Sequence, residues 1–208
     1  MSKKEIRRIK PFNPLDKTNL GENVAEALLN SKTHNLPIEE EFIGAGIYAI
    51  YYKGDFSLYE PISGSQATKN SSPPIYVGKA VPAGARKGGF GLGEDPGNVL
   101  FKRLGEHSKS ISQATNLNLE DFVTKFLVVD DIWIPLAESL LIETFNPLWN
   151  KVIDGFGNHD PGKGRYQQRK SHWDILHPGR SWAEKLLGKS LTIAEVQNKV
   201  ESFFNEKS

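Results

Sequence analysis

Two short segments rich in aromatic and β-branched residues constrain the fold of this chain most strongly. The first runs from Gly46 to Tyr52, the second covers residues 75–78, and a stretch rich in proline, serine and glycine separates them. Such segments predict β-strands, and the turn-forming residues at 60–74 predict that the two strands pair as a hairpin with a long loop. Each strand carries a tyrosine, Tyr48 or Tyr76, and a strand tyrosine is most often a half-buried packing residue.

The rest of the chain predicts helices around one further strand at 122–129. Pro135 suits the first turn of a helix that Pro147 ends, and Thr192 with Glu195 forms a capping box. Apolar periodicity and these signals predict helices at 20–31, 98–112, 135–146, 181–187 and 192–205. The expected fold is therefore α+β, with a small, mainly antiparallel three-stranded sheet flanked by helices.

Composition sets mild bounds on the class of protein. The chain has 208 residues, of which 38% are hydrophobic and 25% charged, as expected for a single globular domain. It contains no cysteine, which excludes a disulfide framework, a thiol nucleophile and a cysteine-ligated zinc. The glycine-rich segment 80–97 contains no phosphate-binding Walker motif. With no membrane-length apolar run and a charged N-terminus, we expect a soluble protein of the cytoplasm.

Charge is unevenly distributed, although the formal net charge is only +1. Basic residues are concentrated at 1–10 and 163–180, and acidic residues elsewhere, as at 39–41. Segregated charge of this kind can provide a surface that follows a phosphate backbone. The alternative is a pair of solvated charge runs, which would be preferred if no catalytic set stood beside them.

Three polar residues on the predicted helices could take part in chemistry. Arg103 and His107 are four residues apart, so they lie on one face of the 98–112 helix. Glu138 lies near the start of the 135–146 helix, where the helix dipole favours an acid in any protein. Taken singly, these residues would be a salt-bridging or capping pair and a surface acid like Glu143.

The order and spacing of these residues resemble the GIY-YIG nuclease family. The matching blocks are Gly46-Ile47-Tyr48, Tyr76-Val77-Gly78-Lys79-Ala80, Arg103-Leu104-Gly105-Glu106-His107, and the segment from Ala137-Glu138 to Asn150. In the last block an acid precedes a hydrophobic helix, a proline and an asparagine, and this pattern selects Glu138 rather than Glu143. The resemblance covers about 46–150. The chain departs from the family's compact form in the long spacing between the tyrosine blocks and in the insertion at about 80–97.

The resemblance implies DNA hydrolysis with one divalent metal, Mg²⁺, for which Mn²⁺ could substitute. Glu138 would hold the metal, and Arg103 would stabilise charge on the phosphate. Tyr48 would orient or deprotonate the attacking water, with help from the metal, Lys79 or His107, and the final proton acceptor stays open. Tyr76 would position phosphate or water, and Asn150 would brace the site. The implied catalytic set is Tyr48, Tyr76, Lys79, Arg103, His107, Glu138 and Asn150.

The segment 158–173 and the residues after it resemble the tails of Type II restriction endonucleases, particularly the SacII-like enzymes that cut CCGCGG. Arginine and lysine can bind guanine, and glutamine can bind adenine, in the major groove. The implied DNA-binding residues are Arg165, Gln167, Gln168, Arg169, Lys170, His172 and Arg180. The alternative is a basic loop that contacts only phosphates. Asn158-His159-Asp160 is interpreted as a turn rather than as a second metal site.

These features predict a single domain at 1–208. It would comprise an N-terminal arm (1–42), a catalytic core (43–150) with the inserted loop, and a DNA-reading loop with C-terminal helices (151–208). We expect a bacterial Type II restriction enzyme that acts on double-stranded DNA as a homodimer, beside a cognate DNA methyltransferase and with no membrane partner. The arm and the insertion are candidates for the dimer contact. Two alternatives stay open, a homing or repair nuclease of the same fold and a non-catalytic DNA-binding module on this scaffold.

Overall fold

The computed structural model describes residues 13, 15–63, 73–82 and 95–206. Three parts of the predicted organisation therefore lie outside the described residues. They are the basic cluster at 1–10, most of the insertion at 80–97 and part of the loop at 60–74. The described residues do not test the dimer contacts predicted for the arm and the insertion.

The sheet is antiparallel and has the strand order β1-β4-β2-β3. Its strands are β1 (His34–Asn35), β2 (Gly46–Tyr52), β3 (Tyr76–Ala80) and β4 (Phe122–Val128). The three predicted strands and the predicted hairpin pairing are confirmed, as is the α+β fold class. The additional edge strand β1 pairs with β4 through only two residues, which is too short for any sequence periodicity to reveal it.

The helices are largely those predicted. They are α1 (Lys17–Asn30), α2 (Val99–Gln113), α3 (Ile134–Phe145), α4 (Leu148–Lys151), α5 (His172–Leu176) and α6 (Ile193–Asn205). The capping box of Thr192 and Glu195 is present. The helical piece predicted near 181–187 is shorter than that range, a single 3₁₀ turn at Ala183–Lys185. The short helices α4 and α5 were not predicted. No helix in the described part of the chain is long and apolar enough to span a membrane.

Strand β2 lies at the centre of the molecule, and all seven of its residues are buried. Because side chains alternate along a strand, Ile47, Ala49 and Tyr51 belong to one hydrophobic cluster and the intervening residues to another. The first cluster includes residues of α1 and α3. The second, larger cluster contains Tyr48 together with residues of α2, α4, α5 and α6. Tyr48 therefore lies on the face of the sheet that packs against α2.

The end of α3 turns the chain back toward β3. Asn146 adopts the left-handed conformation, with φ 46°, directly before Pro147, so the helix cannot continue. The amide N–H of Trp149 then donates to the carbonyl of Ile75, at 2.9 Å. This turn places Asn150 beside β3, at the base of the site described below.

Candidate active site

A groove of about 590 Å³ opens where the end of β3, the first turns of α2, α3 and the loop after Asp154 meet. Seven polar side chains line it: Tyr76, Lys79, Lys102, Arg103, Glu106, Glu138 and His159. Four of them belong to the predicted catalytic set, although they come from three separate elements. The fold therefore gathers sequence-distant residues of that set around one open space.

Tyr48 and His107 lie beneath the groove wall. Tyr48 is fully buried, His107 is 1% exposed, and 2.5 Å separates the phenol oxygen from Nε2 of the imidazole. Burial raises the pKa of Tyr48 well above its usual value and lowers the pKa of His107 well below its usual value, the latter with help from the positive charge of Arg103. Both groups are thus neutral at pH 7. The pair can pass a proton from the phenol to Nε2 without creating a buried charge that lacks a partner.

The glycine of the Tyr-Val-Gly block makes room for this phenol. Tyr48 pairs with Gly78 across β2 and β3, and a Cβ atom at Gly78 would collide with the Tyr48 hydroxyl and its ring. The two tyrosine rings stand side by side, with centroids 6.2 Å apart. Tyr76 lies at the groove, and its burial raises the pKa of its phenol too.

Arg103 is held by three groups at the groove wall. Its Nη1 donates to Glu106 Oε2 at 2.9 Å and lies 2.8 Å from His159 Nε2, and its Nη2 donates to the carbonyl of Gly157 at 3.2 Å. The backbone approaches so closely that a Cβ atom at Gly157 would lie 2.8 Å from Nη2. A guanidinium fixed on one side in this way presents its remaining donors in a defined direction.

If the groove binds a DNA phosphate, as the family resemblance implies, Glu106 competes with that phosphate for Arg103, and Glu106→Gln is expected to tighten DNA binding by about 2- to 10-fold at low salt. The Glu106 side chain is half exposed, and the pair is an i,i+3 surface contact that adds little to folding. The measurement is a titration of catalytically silent enzyme, without metal, against labelled duplex. Glu120→Gln makes the same charge change on an exposed acid beyond the other end of α2 and serves as the control. Unchanged affinity in Glu106→Gln would contradict this competition.

Glu138 pairs with Lys79 at the wall of the groove. Nζ of Lys79 lies 2.7 Å from Oε2 of Glu138, and both side chains are partly exposed. Among the described residues no group of three or more histidine, aspartate or glutamate side chains is arranged to hold a metal. The other carboxylate that lines the groove, Glu106, pairs with Arg103. A lone carboxylate donor such as Glu138 fits a hard cation that takes its other ligands from water and phosphate.

Asn150 is bound to the backbone of β3. Its Oδ1 accepts from the amide of Val77 at 2.8 Å, and its Nδ2 donates to the carbonyl of the same residue at 2.8 Å. The side chain thus ties the start of α4 to the strand that carries Tyr76 and Lys79. This geometry fits a bracing residue rather than one that contacts substrate.

Some of the residues predicted to bind DNA line one cleft, and the others lie outside it. A cleft of about 270 Å³ is lined by Arg165, Gln168 and Arg169, and His159 lies both in this cleft and in the groove. Gln167 is exposed nearby in sequence. Lys170 is engaged with another protein group, because its Nζ lies 2.8 Å from Glu184 Oε2. The cleft and the groove therefore adjoin at His159, which lines both.

One of the predicted DNA contacts is corrected by the structure. Arg180 is 1% exposed, pairs with Asp174 at 2.7 Å and packs between the rings of Trp173 and Trp182, so it cannot reach a nucleic acid from this position. Arg180 was expected at the surface because basic residues surround it in the sequence. His172 begins α5, its Nδ1 donates to the carbonyl of Val152 at 2.8 Å, and its partly exposed side chain lines a second cleft with Arg169 and Lys170.

Sequence reasoning missed His159 and Glu106 as residues of the groove. His159 belongs to a segment interpreted only as a turn, and the backbone does turn there, with Asn158 donating to the carbonyl of Gly155. The side chain nevertheless reaches Arg103, 56 residues away in the chain. Glu106 could have been found, because it lies three residues after Arg103 on the same helix.

Comparison with known proteins agrees with this arrangement. The family model of the Eco29kI GIY-YIG domain matches residues 40–204, well over half of the chain. The chain belongs to this family. It is a GIY-YIG nuclease of the restriction-endonuclease type, and its substrate is DNA. No curated protein matched the chain. The match extends past Asn150 through the cleft and α6, so the segment after the catalytic core is part of what defines the family.

Proposed function

We propose that this GIY-YIG nuclease is a Type II restriction endonuclease that hydrolyses double-stranded DNA at a GC-rich palindrome such as CCGCGG. One observation carries the proposal. The groove with Tyr76, Arg103 and Glu138 and the cleft with Arg165 and Arg169 share His159 in their linings, so the two adjoin. A phosphate held in the groove would thus lie beside residues that can bind base edges, with arginine suited to guanine O6 and N7. Cutting and reading are combined in one small unit.

The Tyr48–His107 pair supports a route for the proton of the attacking water. As water oxygen forms its bond to phosphorus, its proton passes to the Tyr48 oxygen, and the phenol proton passes to His107 Nε2. The pair is arranged for this transfer, with 2.5 Å between the two heavy atoms and a neutral imidazole as acceptor. The P–O3′ bond breaks in the same displacement. Burial lowers the pKa of His107, so Nε2 stays unprotonated and can accept the hydrogen bond of the phenol at pH values at which a free histidine is protonated.

Arg103 and Tyr76 act on the phosphate itself. Arg103 donates to a non-bridging oxygen as negative charge develops there, and Tyr76 donates from its neutral phenol. Glu138 would hold Mg²⁺, or Mn²⁺ in its place, and the metal would supply Lewis-acid stabilisation of the phosphate and the leaving oxygen. Lys79, which neutralises Glu138 in the DNA-free chain, adds positive charge on the same side of the groove.

A palindromic target requires two active sites related by a two-fold axis, because each chain contributes one groove. We infer a homodimer on DNA for this reason. A nuclease of this specificity also requires protection of its own genome, so a DNA methyltransferase with the same target is the expected partner.

Digestion of a plasmid library with and without Mg²⁺, followed by sequencing of all ends, tests the proposed specificity. Metal-dependent ends that share one GC-rich palindrome support the Type II assignment and identify the site. Ends that depend on DNA structure, or that are scattered, would instead assign the nuclease to repair or recombination. DNA binding without any cleavage would leave a binding module on a nuclease scaffold.

A further inference from the structure

The loop Gly155–His159 touches three residues of the active site. The Phe156 ring stacks on His107, with centroids 4.4 Å apart and planes at 17°, and it meets Tyr76 edge-on at 4.9 Å. The carbonyl of Gly157 and the imidazole of His159 bind Arg103. The positions of the proton acceptor, a groove phenol and the phosphate-binding arginine therefore all depend on where this loop lies.

Arg180 holds that loop from below. Its Nη1 donates to the carbonyls of Phe156 at 3.0 Å and Asn158 at 3.2 Å, and its Nη2 donates to the carbonyl of Gly155 at 2.9 Å. Its Nε donates to Asp174 Oδ1 at 2.7 Å, and both side chains of this ion pair are 1% exposed. One guanidinium thus binds three carbonyls of a loop of five residues.

Two indole rings and a hydroxyl fix the guanidinium in turn. Its central carbon lies 4.5 Å from the ring centroid of Trp173 and 4.7 Å from that of Trp182. Ser171 donates from its hydroxyl to Asp174 Oδ2 at 2.6 Å, so the second carboxylate oxygen is also held. A planar fork in an aromatic slot has little freedom, and its donors aim at fixed points.

We propose that Arg180 is a positioning residue for catalysis, which acts through the Gly155–His159 loop to hold His107 and Arg103 in their reactive arrangement. The catalytic part of this inference rests on the proposed function, whereas the placement of the loop does not. Arg180 itself touches neither DNA nor the groove. A loop displacement of about 1 Å at Arg103 or His107 is enough to lower the rate of a reaction that depends on alignment by about 100-fold.

The substitution Arg180→Lys tests whether the loop needs the geometry of the guanidinium or only its positive charge. Lysine keeps a positive charge for Asp174 and for the aromatic slot, but its single ammonium cannot reach three carbonyls and the carboxylate together. We expect kcat for cleavage of a cognate duplex to fall at least about 10-fold while KM changes less than about 3-fold, since DNA contacts are retained. Stability alone would not produce this division between the two constants.

The second readout needs neither DNA nor metal. In protein labelled with ¹³C-histidine, the pKa of His107 is expected to rise toward its usual value in Arg180→Lys, because Phe156 no longer shields the imidazole. The His34 titration, at the sheet edge β1, is expected to be unchanged. This result would support the loop placement even if the wild-type protein cut no DNA, an outcome that would contradict only the proposed function.

Val200→Ala is the control for a general loss of stability, because Val200 is buried in α6, a helix that contributes no residue to the lining of the groove. It is expected to lower the unfolding midpoint and to leave kcat and the His107 titration unchanged. If Arg180→Lys does not fold, Asp174→Asn, which loses only the charge of the pair, takes the same two measurements. Wild-type kcat together with a wild-type His107 titration in the folded variant overturns the proposal.

Discussion

Tyr48→Phe is expected to slow DNA cleavage by about 100- to 10,000-fold, the range that a positioned general base contributes. The change removes one oxygen, which lies 2.5 Å from His107 Nε2, and retains the ring that fills the core. Without the phenol, water has no route to pass its proton to His107. The measurement is the single-turnover rate on a cognate duplex with Mg²⁺, and DNA affinity is expected to stay within about 3-fold because Tyr48 is buried under the groove.

Tyr51→Phe is the matched control for this change. Tyr51 belongs to the same strand, is 1% exposed, and its hydroxyl has no hydrogen-bond partner in the described part of the chain. Its side chain points to the other face of the sheet, so its loss is expected to leave cleavage unchanged and not to destabilise the fold. If Tyr48→Phe cleaved DNA as fast as Tyr51→Phe, the proton route through Tyr48 and His107 would be wrong.

Acid is expected to destabilise the fold below about pH 6.5, because two histidines are buried in their neutral form. His177 accepts from the Tyr59 hydroxyl at Nε2 and donates from Nδ1 to Asn116, and burial lowers its pKa to about 3. In the unfolded chain the His177 imidazole binds a proton near pH 6.5, whereas in the folded chain it does not. The free energy of unfolding therefore falls as pH falls from 6.5 toward 3. His177 alone accounts for about 2 kcal/mol between pH 7.5 and pH 5. His107 acts in the same direction.

Urea unfolding at a series of pH values measures this dependence. His177→Gln is expected to lower the free energy of unfolding at pH 7.5, because the contacts with Tyr59 and Asn116 are lost. It is also expected to reduce the slope of the free energy of unfolding against pH by about 1.4 kcal/mol per pH unit between pH 6 and pH 4. Val200→Ala is the control for general destabilisation, because it changes a buried side chain without changing a titratable group, so the slope is expected to stay as in the wild type. A slope in His177→Gln equal to that of the wild type would show that His177 is charged in the folded state.

The strands and long helices could be predicted because their signals are local. Gly46–Tyr52 is rich in aromatic and β-branched residues, and Thr192 with Glu195 makes a capping box that needs no distant partner. The short helix α5 could not be predicted, because it contains five residues, fewer than two turns, and depends on the Ser171 cap and on burial of Trp173. Tertiary packing, rather than helix propensity, makes that segment helical.

The sequence could predict the site residues that belong to the family motif. It could not predict residues that reach their positions only through packing of the folded chain. The family pattern led to Tyr76, Arg103 and Glu138, which the fold brings to one groove. No local pattern distinguishes Arg180 from its exposed neighbours, because its burial depends on Trp173 and Trp182 closing around it. A basic sequence context was therefore mistaken for a basic surface.

Cleavage by wild-type protein, Glu138→Gln and Glu143→Gln, with Mg²⁺ and with EDTA, tests most directly whether the groove is a metal-dependent nuclease site. Glu138 is in the groove beside Lys79, whereas Glu143 is exposed on the same helix, so the two substitutions make the same chemical change at different places. We expect Mg²⁺-dependent cutting by wild type and Glu143→Gln, and a rate at least about 1,000-fold lower for Glu138→Gln with DNA binding retained. Cutting by Glu138→Gln at the wild-type rate, or equal cutting by wild type in EDTA, would contradict the assignment of this groove.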